Sequence, residues 1–198
     1  MILLALLLTL SACHRTTEEP GHLPEPDDSL LQTGDLVCRF GNGMYSAWFR
    51  DVSQRDKRFS HAGIVVKPQD GGPTQVVHAE ADDHTGQGEV RTETLSKFLK
   101  SAHDWAIYRV TAGEKTGSKI AGRALWYAGK HIPFDLDFDA TDSTAFYCTE
   151  LVMHCVNDAL GDIRIRPNSR LGGKQVVALD DTYLHEWVKL VTQNSGSR

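Results

Sequence analysis

The chain has 198 residues, 40% of them hydrophobic and 24% charged, with a formal net charge of -5 and a sequence pI of about 6.0. That size and balance suit one globular domain with enough apolar side chain for a core. They exclude the basic footprint of a nucleic-acid binder, since the densest basic stretch, Arg50 to Arg58, is interrupted by Asp51 and Asp56.

Residues 1–12 are almost wholly apolar and end in Leu10-Ser11-Ala12-Cys13. A run of ~12 residues is too short to span a bilayer, which takes ~20, but it fits the apolar region of a secretion signal. The four-residue end resembles the bacterial lipobox. Cys13 is therefore expected to be lipidated, which would hold an exported chain at a membrane facing the periplasm or cell envelope. His14, rather than Asp, follows it, and by resemblance to enterobacterial sorting this permits the outer membrane. The next stretch is rich in Glu, Asp, Pro and Thr and too poor in apolar residues to order itself. The division expected is a signal over 1–13, a flexible tether over 14–32 and a single domain over 33–198.

Within the domain, 35–40 alternates as a strand and 46–52 suits a short helix. Strands at 60–67 and 74–81 flank the turn residues Gln69 to Pro73 and read as a hairpin. A polar loop over 82–88 leads to a short helix over 92–99, then a strand over 105–110 and an amphipathic helix over 117–130. Residues 132–146 form a loop holding Asp135, Asp137, Asp139 and Asp142. Its aspartates lack the glycine and distal Glu of a calcium-binding EF-hand loop, so Asp135 and Asp137, like Asp35, are expected to fix backbone. Residues 148–159 carry apolar or small side chains at 148, 151, 152, 155, 156 and 159, the stripe of a core-packed helix. A strand-like Val176-Val177-Ala178 opens a mixed tail.

Cys148 and Cys155 stand seven apart on that helix, ~10.5 Å along its axis, too far for a disulfide. A Cys38–Cys155 bond stays open, and the absence of any CxxC argues against a cysteine zinc site, so no metal is expected. Cys148 falls in the first turn of its helix, where the dipole favours a thiolate. Of the nine histidines, His61 and His78 lie in β-branched surroundings on the two arms of the hairpin. A histidine base needs a partner to fix its tautomer. His78 and Glu80 share a strand face and compete for that place, with His78 favoured. Tyr147 is a further candidate for shaping the site, and Glu150 is expected to support the helix start.

The series Gly34-Asp35-Leu36-Val37, Ser60-His61-Ala62-Gly63-Ile64-Val65 and Val77-His78-Ala79 resembles the strands of NlpC-type papain-like hydrolases. There the nucleophile precedes the strands. Here the well-placed cysteine follows them, in Phe146-Tyr147-Cys148-Thr149-Glu150-Leu151-Val152, after Phe134-Asp135-Leu136-Asp137-Phe138. That order is similar to the circularly permuted, YiiX-type branch, and the likeness runs from about Gly34 to Ala159. It implies an α+β fold in which an antiparallel sheet packs against a central Cys-bearing helix. It also implies a Cys148 nucleophile, a His61 base and His78 as third residue, with no cofactor. The expected reaction is amide hydrolysis through a thioester, on a small peptide or a peptidoglycan fragment. The competing readings are a lipid amide or ester hydrolase or acyltransferase, which relatives in the permuted order suggest, and a non-catalytic binding module.

Overall fold

The computed structural model describes residues 23–41, 46–113, 115–141 and 143–194. Cys13, the apolar leader and Asp142 lie outside them. Six strands form one antiparallel sheet in the order β4-β3-β2-β1-β5-β8. In chain order they are β1 (Leu36–Phe40), β2 (His61–Val66), β3 (Gln75–Ala81), β4 (Gly88–Thr94), β5 (Asp104–Val110) and β8 (Val188–Gln193). A separate hairpin pairs β6 (Ser169–Leu171) with β7 (Lys174–Val176). The helices are α1 (Ser46–Val52), α2 (Leu95–Leu99), α3 (Thr116–Gly129), α4 (Cys148–Leu160) and α5 (Asp180–Tyr183). Among the described residues no helix is long and apolar enough to cross a membrane.

Strand alternation gives the sheet two buried faces. Leu36, Cys38, Ala62, Ile64, Val77, Ala79, Val90 and Ala106 face one way, and α3 and α4 cover them with Ile120, Ala124, Leu151, Val152 and Val156. Val37, Val65, Val76, Trp105 and Ile107 face the other way, under Leu95, Phe98 and Leu99 of α2. The first core contains the Cys-bearing helix, as expected of the fold. Cys38, Cys148 and Cys155 are all buried free thiols.

Three sequence expectations need correction. The segment 92–99 is not one helix: β4 runs through Thr94, which then caps α2 by accepting from the Lys97 N–H at 3.2 Å. The alternation of Val90, Thr92 and Thr94 with charged residues is a strand pattern that completes the register with β3. The tether does not extend to residue 32. Leu31 is buried in the α2 core, Trp105 donates to Pro24 O at 2.9 Å, and Asp28 pairs with Lys67 at 2.8 Å. Finally, Val177 and Ala178 lie beyond the end of β7, and the tail supplies β8 to the edge of the main sheet.

Two local devices fix the frame around the site. Asp35, 1% exposed, takes both prongs of Arg109 at 2.6 and 2.7 Å and the N–H of Gln32 at 2.8 Å. Asp35 thus fixes backbone, as read from the sequence. Gly34 has φ +92°, and a Cβ there would fall 2.2 Å from Gly117 O, so only glycine lets the start of β1 meet the start of α3.

Candidate active site

The chain enters α4 in extended form, with Tyr147 at φ -92°, ψ 172°, and turns helical at Cys148. The cysteine is 1% exposed. The backbone N–H groups of Ala62, Thr149 and Cys148 itself favour its thiolate. Burial pushes the thiol pKa up to about 11, against the pull of the Ala62 and Thr149 amides and the Arg39 guanidinium. Burial also raises the Cys38 and Cys155 thiols.

His61 is the residue before Ala62 and the first of β2. Its Nε2 is 2.9 Å from Nδ1 of His78, which is fully buried. The rings meet edge to face, and Phe98 of α2 packs against both. His78 Nε2 lies 3.1 Å from Oε1 of Glu93. Burial holds the His61 pKa well below the ordinary histidine value, and Arg39, His78 and Arg91 push the same way. Burial works against the Glu93 carboxylate, yet His78, Lys97 and Arg91 outweigh it and hold its pKa at about 2.

The two groups reach this place from opposite faces of the sheet. Cys148 comes from α4. His61 sits across from Arg39 in register, and both imidazoles lie on the α2 face. The imidazole is carried by the first residue of β2, and the backbone N–H of the next residue, Ala62, favours the thiolate of Cys148.

Residues 30–191 match the description of a permuted papain-like amidase enzyme, the YaeF/YiiX, C92 family. The chain belongs to this family. It is thus a cysteine amidase or peptidase-type hydrolase. The structure also resembles that of the metalloprotein YiiX from Escherichia coli O157:H7, with a TM-score of 0.65 and 19% identity. The superposition covers 82% of this chain and 97% of that one. At that identity the likeness speaks for the fold. A search of curated proteins gives no match.

Among the remaining candidates of this amidase, Glu80 does not join the imidazoles. Its Oε1 accepts from Arg39 at 2.6 Å and its Oε2 from Arg91. Glu93, which sequence reasoning missed, stands where an orienting carboxylate is needed. Its signal was hidden in the segment read as a helix start. One group among the described residues has the makeup of a metal site, His61, His78 and Glu80, with ligand atoms within 4.8 Å of one another. The donor set does not fit a cation. Each Glu80 oxygen is taken by a guanidinium, and the facing ring nitrogens of the two histidines are spent on each other.

Tyr147 serves the frame rather than the chemistry. It is fully buried, and its hydroxyl accepts from the Val177 N–H at 2.8 Å. Thr149 donates to the Val177 carbonyl at 2.6 Å. The two neighbours of Cys148 therefore grip both backbone groups of one residue, which fixes the first turn of α4. Glu150 accepts from the Tyr147 N–H at 3.4 Å, supporting the helix start, while burial raises its pKa to about 7. Asp135 accepts from the N–H groups of Asp137 and Asp139, both at 2.8 Å, so it fixes its loop.

At neutral pH the resting pair is a neutral thiol and a neutral imidazole. Alkylation of Cys148 by iodoacetamide is expected to keep rising past pH 9, toward the raised thiol pKa of about 11, instead of levelling near neutrality. A plateau between pH 6 and 8, followed by mass spectrometry of the labelled peptide, would show a preformed thiolate. Tyr147→Phe is expected to cost about 1–3 kcal/mol in urea titration, because it leaves the buried Val177 N–H without an acceptor. An unchanged unfolding midpoint would show that this hydroxyl is not part of the frame.

Proposed function

We propose that this amidase acts in the cell envelope, with Cys148 as nucleophile and His61 as base, on a peptide amide such as a peptidoglycan stem. The observation that supports the reading is a cysteine at the first turn of α4 whose thiolate is favoured by the Ala62 amide, the residue next to His61, which itself is paired with His78. His61 Nδ1 is the ring nitrogen not turned to His78, and it takes the thiol proton as sulfur attacks the substrate carbonyl. The amides around the sulfur lie where they can meet the developing oxyanion. Collapse of the adduct breaks the C–N bond, and His61 returns its proton to the departing amine. Water then adds to the thioester with His61 again as base, releasing the acid and restoring the thiol.

Cys13 would hold the enzyme at the membrane by its lipid, with the residues after it as a spacer. A second reading, a lipid amide or ester as substrate, draws on a cleft of about 560 Å³. Trp48, Val52, Leu136, Phe138 and Leu171 give it an apolar wall, and Phe138 packs edge-on against Tyr147 beside the nucleophile.

Incubation with muropeptides and with acylated amides, read by intact-protein mass spectrometry, is expected to show a covalent acyl adduct on the wild type and none on Cys148→Ala. Turnover should fall by at least about 100-fold in Cys148→Ala and His61→Ala, given what nucleophile and base contribute. Turnover that survives either change would sink the assignment, and the substrate that forms the adduct separates the peptide from the lipid reading. Labelled palmitate should enter the full chain and not Cys13→Ser, and the variant should leave the membrane fraction. Equal labelling of both would remove the anchor.

A further inference from the structure

Outside the expected catalytic residues, a group of charged side chains lies under α2. It comprises Arg39 from β1, Glu80 from β3, Arg91 and Glu93 from β4, and Lys97 from α2. All of it surrounds the two imidazoles. Glu80 pairs with both arginines, one through each of its oxygens. Glu93 instead turns its Oε1 to His78 and its Oε2 to Lys97 at 3.1 Å, with a side chain only 6% exposed. An ionised carboxylate can only accept hydrogen bonds.

We propose that Glu93 is a positioning residue that sets, through His78, which nitrogen of His61 is free to act as base. Glu93 offers only acceptors 3.1 Å from His78 Nε2, so in the proposed resting state the single proton of His78 sits on that nitrogen. Its Nδ1 is then bare and accepts from His61 Nε2–H across 2.9 Å. That leaves His61 Nδ1 without a proton, the tautomer a base needs. When the thiol ionises, Cys148 Sγ loses one proton and His61 Nδ1 gains it, with no further change of protonation along the His61–His78–Glu93 line. A doubly protonated His78 would do the reverse. It would donate from Nδ1 to His61 Nε2 and place the His61 proton on the wrong nitrogen. Arg39 and Arg91, each close enough to lower the pKa of His61, oppose a positive charge at this spot.

The inference rests on His61 being the base, and two measurements separate the claims. The first is nitrogen-15 NMR of the histidine rings in the full chain at neutral pH, repeated in Cys148→Ala. It is expected to show His61 protonated at Nε2 and bare at Nδ1, and His78 protonated at Nε2 alone. A proton on His61 Nδ1, or on both nitrogens of His78, overturns the proposal without reference to any substrate. The second is the rate of Cys148 alkylation at pH 7.5. Glu93→Ala should lower it by on the order of 10- to 100-fold, a part of the roughly 100- to 10,000-fold that a general base contributes. It should also move the His61 Nδ1 signal toward the protonated form. Glu93→Gln keeps an acceptor for His78 and should recover most of the rate. A residue of merely structural importance would lower the melting temperature in both variants and leave the ring signals of the folded protein unchanged. If the signals behave as expected but His61→Ala alkylates at the wild-type rate, the relay stands and the role of His61 as base falls.

Discussion

Strand β2 puts residues 61 and 62 on opposite faces of the sheet, and the site is built around that alternation. Ala62 faces α4, and its N–H meets the Cys148 sulfur. His61 faces α2 and is held by His78 and Phe98. A slip of β2 by one residue would exchange the two faces and take both contacts away. The register is held on each side by β1 and β3. The cysteine end is held by Tyr147 and Thr149, which close on both backbone groups of Val177. Thiol and imidazole thus sit on two separate elements, each held in place by hydrogen bonds to backbone groups.

The electrostatics follow from the same burial. A helix N-terminus favours a thiolate, and Arg39 pulls the thiol the same way, but a sulfur 1% exposed loses more from the missing water than these restore. Burial likewise keeps His61 neutral. The pair therefore rests uncharged, and under the proposed mechanism charge separates when a carbonyl meets the sulfur. Such a site spends little on holding an ion pair in a low-dielectric pocket, and it leaves the thiol quiet in the absence of substrate. It does require that the imidazole wait in the right tautomer, which is the office that Glu93 is placed to fill.

The elements that alternate plainly were legible before folding. The strands at His61 and His78, the core stripe on Leu151, Val152, Cys155 and Val156, and the cysteine at the head of that helix could all be read along the chain. Of the two candidates for third residue, His78 faces His61, while Glu80 is taken by Arg39 and Arg91. The stretch from Gly88 to Thr94 was not legible, because Thr92, Thr94 and Ser96 look like helix caps and only pairing with β3 shows them to be a strand. Glu93 was lost with it. The packing of residues 23–32 escaped for a related reason: a polar composition tells nothing of a single Leu31 that finds the α2 core.

The sequence by itself determined the chemistry on offer and its order: strands with two histidines, then a helix headed by a cysteine, which is the permuted arrangement. Those are local matters, fixed by residue type and by spacing along one element. Only the tertiary structure decided which carboxylate reaches His78, that Glu80 belongs to Arg39 and Arg91, and that Tyr147 supports backbone. Each of those outcomes depends on which strands lie side by side and on where charged groups must find partners once water is gone. Glu80 and Glu93 are the same residue type on neighbouring strands, and only their register against Arg39, Arg91 and His78 gives them different work.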